Sequence, residues 1–160
     1  MIEDKSNHST KWTIRKYKTD EDFVSGKEYE IIEIADNLLL NAGITLLLNL
    51  LAGLGGTAYS NANAYIGVGD SSTAEAATQT NLQAATNKTY KAMATSYPAV
   101  ANQTITFQAV FGSGDANYAW NEFVVGNSNT GVTALNRKVS AQSTKASGQT
   151  WTVSVAITIS

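Results

Sequence analysis

The sequence predicts a mainly β protein: an antiparallel β-sandwich or jelly-roll-like body carrying one apolar helix and preceded by an extended N-terminal arm. Three observations predict it. Several segments alternate apolar and polar residues with the two-residue period of a half-buried strand. Turn-forming clusters, GSGDAN at 112–117, GNSNTG at 126–131 and STKASG at 143–148, separate them at strand-like spacing. Charge is also divided unevenly along the chain: residues 1–36 hold nine acids and six bases, and the other 124 residues hold only nine charges.

Residues 1–35 read as the arm. Alternation at 11–18, KWTIRKYK, puts Trp12 and Ile14 on one face, and YEIIEI at 29–34 is rich in β-branched residues. The charged stretch between them, 18–28, reads as a loop. So few apolar residues do not offset an ordering cost of about 1–2 kcal/mol per residue. The arm is therefore expected to order by lying on a neighbour. Trp12, Ile14, Tyr17, Phe23, Tyr29 and Ile31 are its expected interface residues, with aromatic anchors of the kind that fill a partner's pocket.

Residues 36–160 read as the body. It opens on a helix predicted over 37–52, capped by Asp36 or Asn37 and ended by Gly53. Asn41, Thr45 and Asn49 make its one polar stripe, and leucines cover most of the remainder. Such a helix needs burial on most of its surface, under a sheet or at a subunit contact. The strands expected after it are 88–94, 104–111, 118–125, 134–139 and 149–160. The last is the clearest, with Trp151, Val153, Val155, Ile157 and Ile159 on one face.

Composition excludes several kinds of chemistry. The 160 residues contain no cysteine, so disulfides, thiolate metal sites and thiol nucleophiles are absent. A net charge of −2 gives no electrostatic reason to expect nucleic acid. The apolar run 38–54 is interrupted by Asn41, Thr45 and Asn49 and falls short of a membrane span of about 20 residues. The N-terminal residues lack the apolar core of a signal peptide. No nucleic acid and no membrane are expected as partners.

The segment AYIGVGDSSTAEAATQTNL at 64–82 has the look of a ligand loop. It lacks the Gly-Lys-Ser/Thr of a phosphate loop, and position 72 is Ser where a dinucleotide fingerprint needs its third Gly. Asp70 and Glu75 are a minimal offer for calcium, which takes six to eight oxygens. An Asx-turn at Asp70 and a solvent-facing Glu75 are the plainer expectation. His8, the single histidine, lies in the arm, and Asp70, Glu75, Asp115 and Glu122 show no spacing that pairs them for acid–base work. Glu122 stands in a strand as a candidate partnered charge. Trp120 and Trp151, with Tyr65, Tyr90, Tyr97 and Tyr118, suit a core better than a sugar platform. We expect no catalytic, metal or cofactor residues and no enzyme.

The same segment resembles a group of tailed-bacteriophage virion proteins. The resemblance rests on IGVG at 66–69 followed by TAEAATQTNL at 73–82. It extends to the helix NAGITLLLNLLAG at 41–53, the strand ITFQAVF at 105–111, the segment EFVV at 122–125 and the closing Thr/aliphatic strand. It covers residues 36–160 and leaves the arm outside. Gln79 and Ala84 stand where the group often has acids. The resemblance implies a β-sandwich that assembles, commonly as trimers, and no enzyme. On it we expect a capsid decoration, or cement, protein on the virion exterior, with the major capsid protein and further copies of itself as partners. The loop would be a structural crossover whose glycines allow tight turning. A tail, fibre or baseplate component is the first alternative, and a carbohydrate-binding module is the second.

Overall fold

The computed structural model describes residues 7–160. Among the described residues ten strands form two five-stranded sheets in which every pairing is antiparallel. The first sheet has the order β2-β1-β10-β7-β6, from β1 (His8–Tyr17), β2 (Glu30–Ala35), β6 (Ala99–Ala101), β7 (Thr104–Phe111) and β10 (Thr150–Ile159). The second has the order β3-β9-β8-β4-β5, from β3 (Leu38–Leu39), β4 (Tyr65–Gly69), β5 (Lys88–Ala92), β8 (Glu122–Gly126) and β9 (Ala134–Val139). Two helices, α1 (Asp20–Ser25) and α2 (Asn41–Leu51), complete the described elements.

One core draws on both sheets. Trp12, Ile14, Phe107, Val153 and Val155 from the first meet Ile66, Val68, Phe123 and Val125 from the second. Trp12 and Phe123 lie 5.7 Å apart between ring centroids, and Trp120 takes Phe111 and Trp151 edge-on at 4.9 and 4.8 Å. Aromatic groups of this size dominate core energetics. Along β10 the expected inward face is buried from Trp151 to Ile157, while Ile159 at the strand end is exposed.

Residues 8–35 correct the expected arm. β1 lies inside the first sheet, paired along its whole length with β10 and on its other side with β2. Its apolar side chains are too few for a core of their own, but they share the core of the whole chain. Its charges are ordered for a different reason: Lys11 pairs with Glu33, Arg15 with Glu28 and Lys16 with Glu30, all within the β1–β2 hairpin. The charged loop between the strands contains α1. Thr19 caps it by accepting from the Asp22 amide, acids fill its first turn, and Gly26 closes it at φ +70°. Residues 1–6 of the expected arm lie outside the described residues.

The predicted helix 37–52 is shorter than expected at its start. Leu38 and Leu39 pair with Arg137 and Asn136 as β3, so the helix begins at Asn41 without a side-chain cap. Its end is as expected. The Leu54 amide donates to the Asn49 carbonyl and the Gly53 amide to the Leu50 carbonyl, with Gly53 at φ +70°. At Gly43 the helix backbone rests on β9. A Cβ there would sit 2.5 Å from the Leu135 Cα.

Candidate functional site: a clasped loop and two apolar surfaces

The segment singled out in the sequence is a strand followed by a long irregular crossover. Gly67 and Gly69 lie inside β4 with ordinary extended backbone, so tight turning is not their role. They make room. A Cβ on Gly67 would meet the Tyr90 ring at 2.7 Å, and a Cβ on Gly69 would meet the Glu122 carboxylate at 2.5 Å. Tyr90 lies across the strand, donates to Asn81 Oδ1, and is pushed up to about 12 by burial.

Glu122 and Arg137 hold the crossover. They sit opposite each other's strands on β8 and β9, and neither side chain is exposed. Arg137 Nη2 lies 2.8 Å and Nε 2.9 Å from Glu122 Oε2, a two-pronged pair. Both groups then reach into the loop. Glu122 accepts from the backbone amides of Gln83 and Ala84. Arg137 donates to the Thr73 and Ala74 carbonyls and to Gln79 Oε1. The loop backbone pairs little with itself, the Gln79 amide on the Ala76 carbonyl being one such bond, and the ion pair satisfies part of the rest. Gln79, a departure from the resembled pattern, is thus an arginine acceptor and also braces the loop through the Ala76 amide and the Ala74 carbonyl.

The other candidate residues are separated by the fold. Asp70 accepts from Asn87 Nδ2 at 2.8 Å, a bond across the loop instead of the expected Asx-turn. Glu75 is half-buried and accepts from the Val139 amide, so it does not simply face solvent. Asp115 accepts from the Gly112 amide and pairs with Lys91 at 2.9 Å. Among the described residues no group of three His, Asp or Glu side chains gathers as for a metal. His8 is exposed at the start of β1. Trp120 and Trp151 are fully buried and offer no face to a sugar.

Two buried lysines also serve the frame. Lys145 donates to the Gly112 carbonyl at 2.7 Å and to Asn117 Oδ1 at 3.0 Å, fixing the 112–117 turn, and burial lowers its pKa. Lys16 lies over the Trp151 ring at 4.3 Å while bonding Glu30 and Ser143.

The six expected interface residues divide. Trp12, Ile14 and Tyr17 are buried in the chain's own fold, a correction that follows from β1 joining the sheet. Phe23 is half-buried, edge-on to Tyr17 at 5.3 Å. Ile31 in the edge strand β2 and Tyr29 just before it remain exposed, as does Val24 of α1. Other exposed apolar residues beyond those six are Ile44, Leu47, Leu48 and Leu51 on α2, whose sequence pattern left burial under a sheet or at a subunit contact open, Leu54 after it, and Val100 and Ile159 elsewhere on the first sheet. The helix's nearly all-round apolar pattern was the available signal. A polar depression of about 280 Å³ also opens between Thr57, Asn63, Tyr65 and the 127–131 turn.

No family model, curated protein or solved structure matches this chain.

Proposed function

We propose that this protein is a capsid decoration protein of a tailed bacteriophage. It is a β-sandwich of jelly-roll type, assembled as a trimer, that binds the major capsid protein on the virion exterior and stabilises the lattice. The observation that supports this most is the 70–87 crossover. The segment that carries the resemblance is used by the fold as a rigid, nearly uncharged connection clasped by Glu122 and Arg137, not as a loop open to a ligand. Exposed apolar side chains on a body poor in charge add to the reading, since such patches mark contacts with other proteins.

The sheet position of β1 changes the proposed mechanism. A free tethering arm no longer carries the contact. Tyr29 and Ile31, on the side of the open β2 edge, are the part of the expected interface still exposed to a capsid subunit. Each copy would contribute a modest contact. Several copies joined in one oligomer bind with an avidity above that of any single contact, which raises the cost of separating the lattice.

The test is co-sedimentation with expanded heads prepared without this protein. Saturation at hundreds of copies per particle, with a raised thermal threshold for head rupture, supports the reading. Saturation at a few to tens of copies supports the tail, fibre or baseplate alternative instead. Absence of binding contradicts the decoration reading.

A further inference from the structure

The helix α2 has two apolar faces, and the fold uses one. Gly43 and Leu46 face inward, Gly43 against β9 and Leu46 against the core. Ile44, Leu47, Leu48, Leu51 and Leu54 face outward, with relative exposures of 38, 37, 59, 85 and 76 %. Ile44, Leu47, Leu48 and Leu51, three and four residues apart, make one continuous stripe along the helix, the pattern by which helices pack against each other, and Leu54 follows just past its end. We propose that this stripe is the contact between copies of the chain, each α2 packing against the α2 of a neighbouring copy about a symmetry axis. The proposal rests on the assembly reading above for its occupant and adds the surface that joins the copies.

Three features point to a second copy. The first is area. At roughly 180 Å² for a fully exposed leucine, the five residues present about 500 Å², so a self-contact that covers them fully buries about 1,000 Å², where specific interfaces begin. The second is charge. No Asp, Glu, Lys or Arg occurs from residue 37 to residue 69, so placing this surface against itself brings no like charges together. A helix lying on an anionic membrane carries lysine or arginine on its polar face, and α2 carries Asn41, Thr45 and Asn49 there. The third is rigidity. The helix start is pinned by the Leu40 amide on the Leu135 carbonyl and by the Asn41 amide on the Ala77 carbonyl. The stripe is therefore presented in a fixed orientation, with little ordering left to lose on association.

Sedimentation velocity of the full chain from about 1 to 100 µM tests this. We expect a mass three times 17.0 kDa. Leu48→Glu and Leu51→Glu should each weaken self-association by at least about 100-fold, since each copy adds a charge to the same desolvated seam. Val100→Glu, exposed on β6, should not. Circular dichroism should show native folding in all three. Because the chain lacks cysteine, Leu51→Cys supplies a second reading: oxidation should cross-link copies, whereas Val100→Cys should stay uncross-linked. A wild-type monomer at 100 µM, or an oligomer indifferent to Leu48→Glu and Leu51→Glu, overturns the proposal. So does a monomer that floats with phosphatidylcholine–phosphatidylglycerol vesicles through the same leucines. An α2-dependent oligomer that ignores expanded heads overturns only the capsid reading. Head binding by a monomer overturns this proposal, and with it the trimer, and leaves the decoration role standing.

Discussion

Arg137 and Glu122 meet at 2.8 Å with neither side chain exposed, and between them they bond four backbone groups of the loop that follows β4. This makes the pair a fastening between the second sheet and residues 73–84. Breaking it from one side leaves a buried charge without its partner. Arg137→Met should lower unfolding free energy by about 3–5 kcal/mol, read by urea denaturation. Replacing both partners by apolar groups often restores stability in buried pairs. Here it should not, because the Gln83 and Ala84 amides and the Thr73 and Ala74 carbonyls would lose their partners too. Full recovery in Glu122→Leu/Arg137→Met would show that the loop is held by other means.

The glycines of β4 should behave as spacers. Gly67→Ala forces the Tyr90 ring and a Val124 methyl to move, Gly69→Ala forces the Glu122 carboxylate to move, and each should cost about 1–3 kcal/mol. If Tyr90 is the obstacle, Gly67→Ala should be much less costly in a Tyr90→Ala background. Additive losses in that double-mutant cycle would remove Tyr90 from the explanation.

Asp20 ties α1 to the first sheet. It accepts from the Thr150 hydroxyl and, at 3.0 Å, from Ser113 Oγ, and these bonds hold its pKa below the ordinary 3.8. A depressed carboxylate stabilises the fold above its unfolded pKa, and that contribution is lost as pH falls through the folded value. Wild type should therefore exceed Asp20→Asn in stability at pH 7, and the gap should close below about pH 4. Denaturation midpoints at pH 7 and pH 3 read the difference. A gap that widens on acidification would have the wrong sign.

Removing residues 1–35 should unfold the protein and not merely untether it. The truncation deletes both β1 and β2, strips β10 of its partner on that side, and takes Trp12 and Ile14 out of the shared core. The 36–160 fragment should show no cooperative melting and no native near-ultraviolet dichroism. A folded fragment would return residues 8–35 to the status of a separable arm.

The first strand shows how far the sequence could be read. The Trp12/Ile14 alternation was legible, as were β7, β9, β10 and the Gly53 helix stop, because local period and turn chemistry decide them. The partner of β1 was not. Its pairing with β10 spans nearly the whole chain, and charge density alone suggested an arm. The clasp was half legible: Glu122 stood out as a partnered charge, but Arg137's loop acceptors lie 58 to 64 residues away in sequence. The start of α2 was misjudged because Leu38 and Leu39 complete a sheet edge, a tertiary demand that local capping signals do not carry.

The central claim is that this molecule works by adhesion among many copies on a particle surface. Electron cryomicroscopy of expanded heads incubated with the protein measures that directly. The account predicts ordered β density on the outer surface at symmetry-related lattice positions, with copies joined to one another through α2. Heads whose outer surface is bare at saturating protein would contradict it.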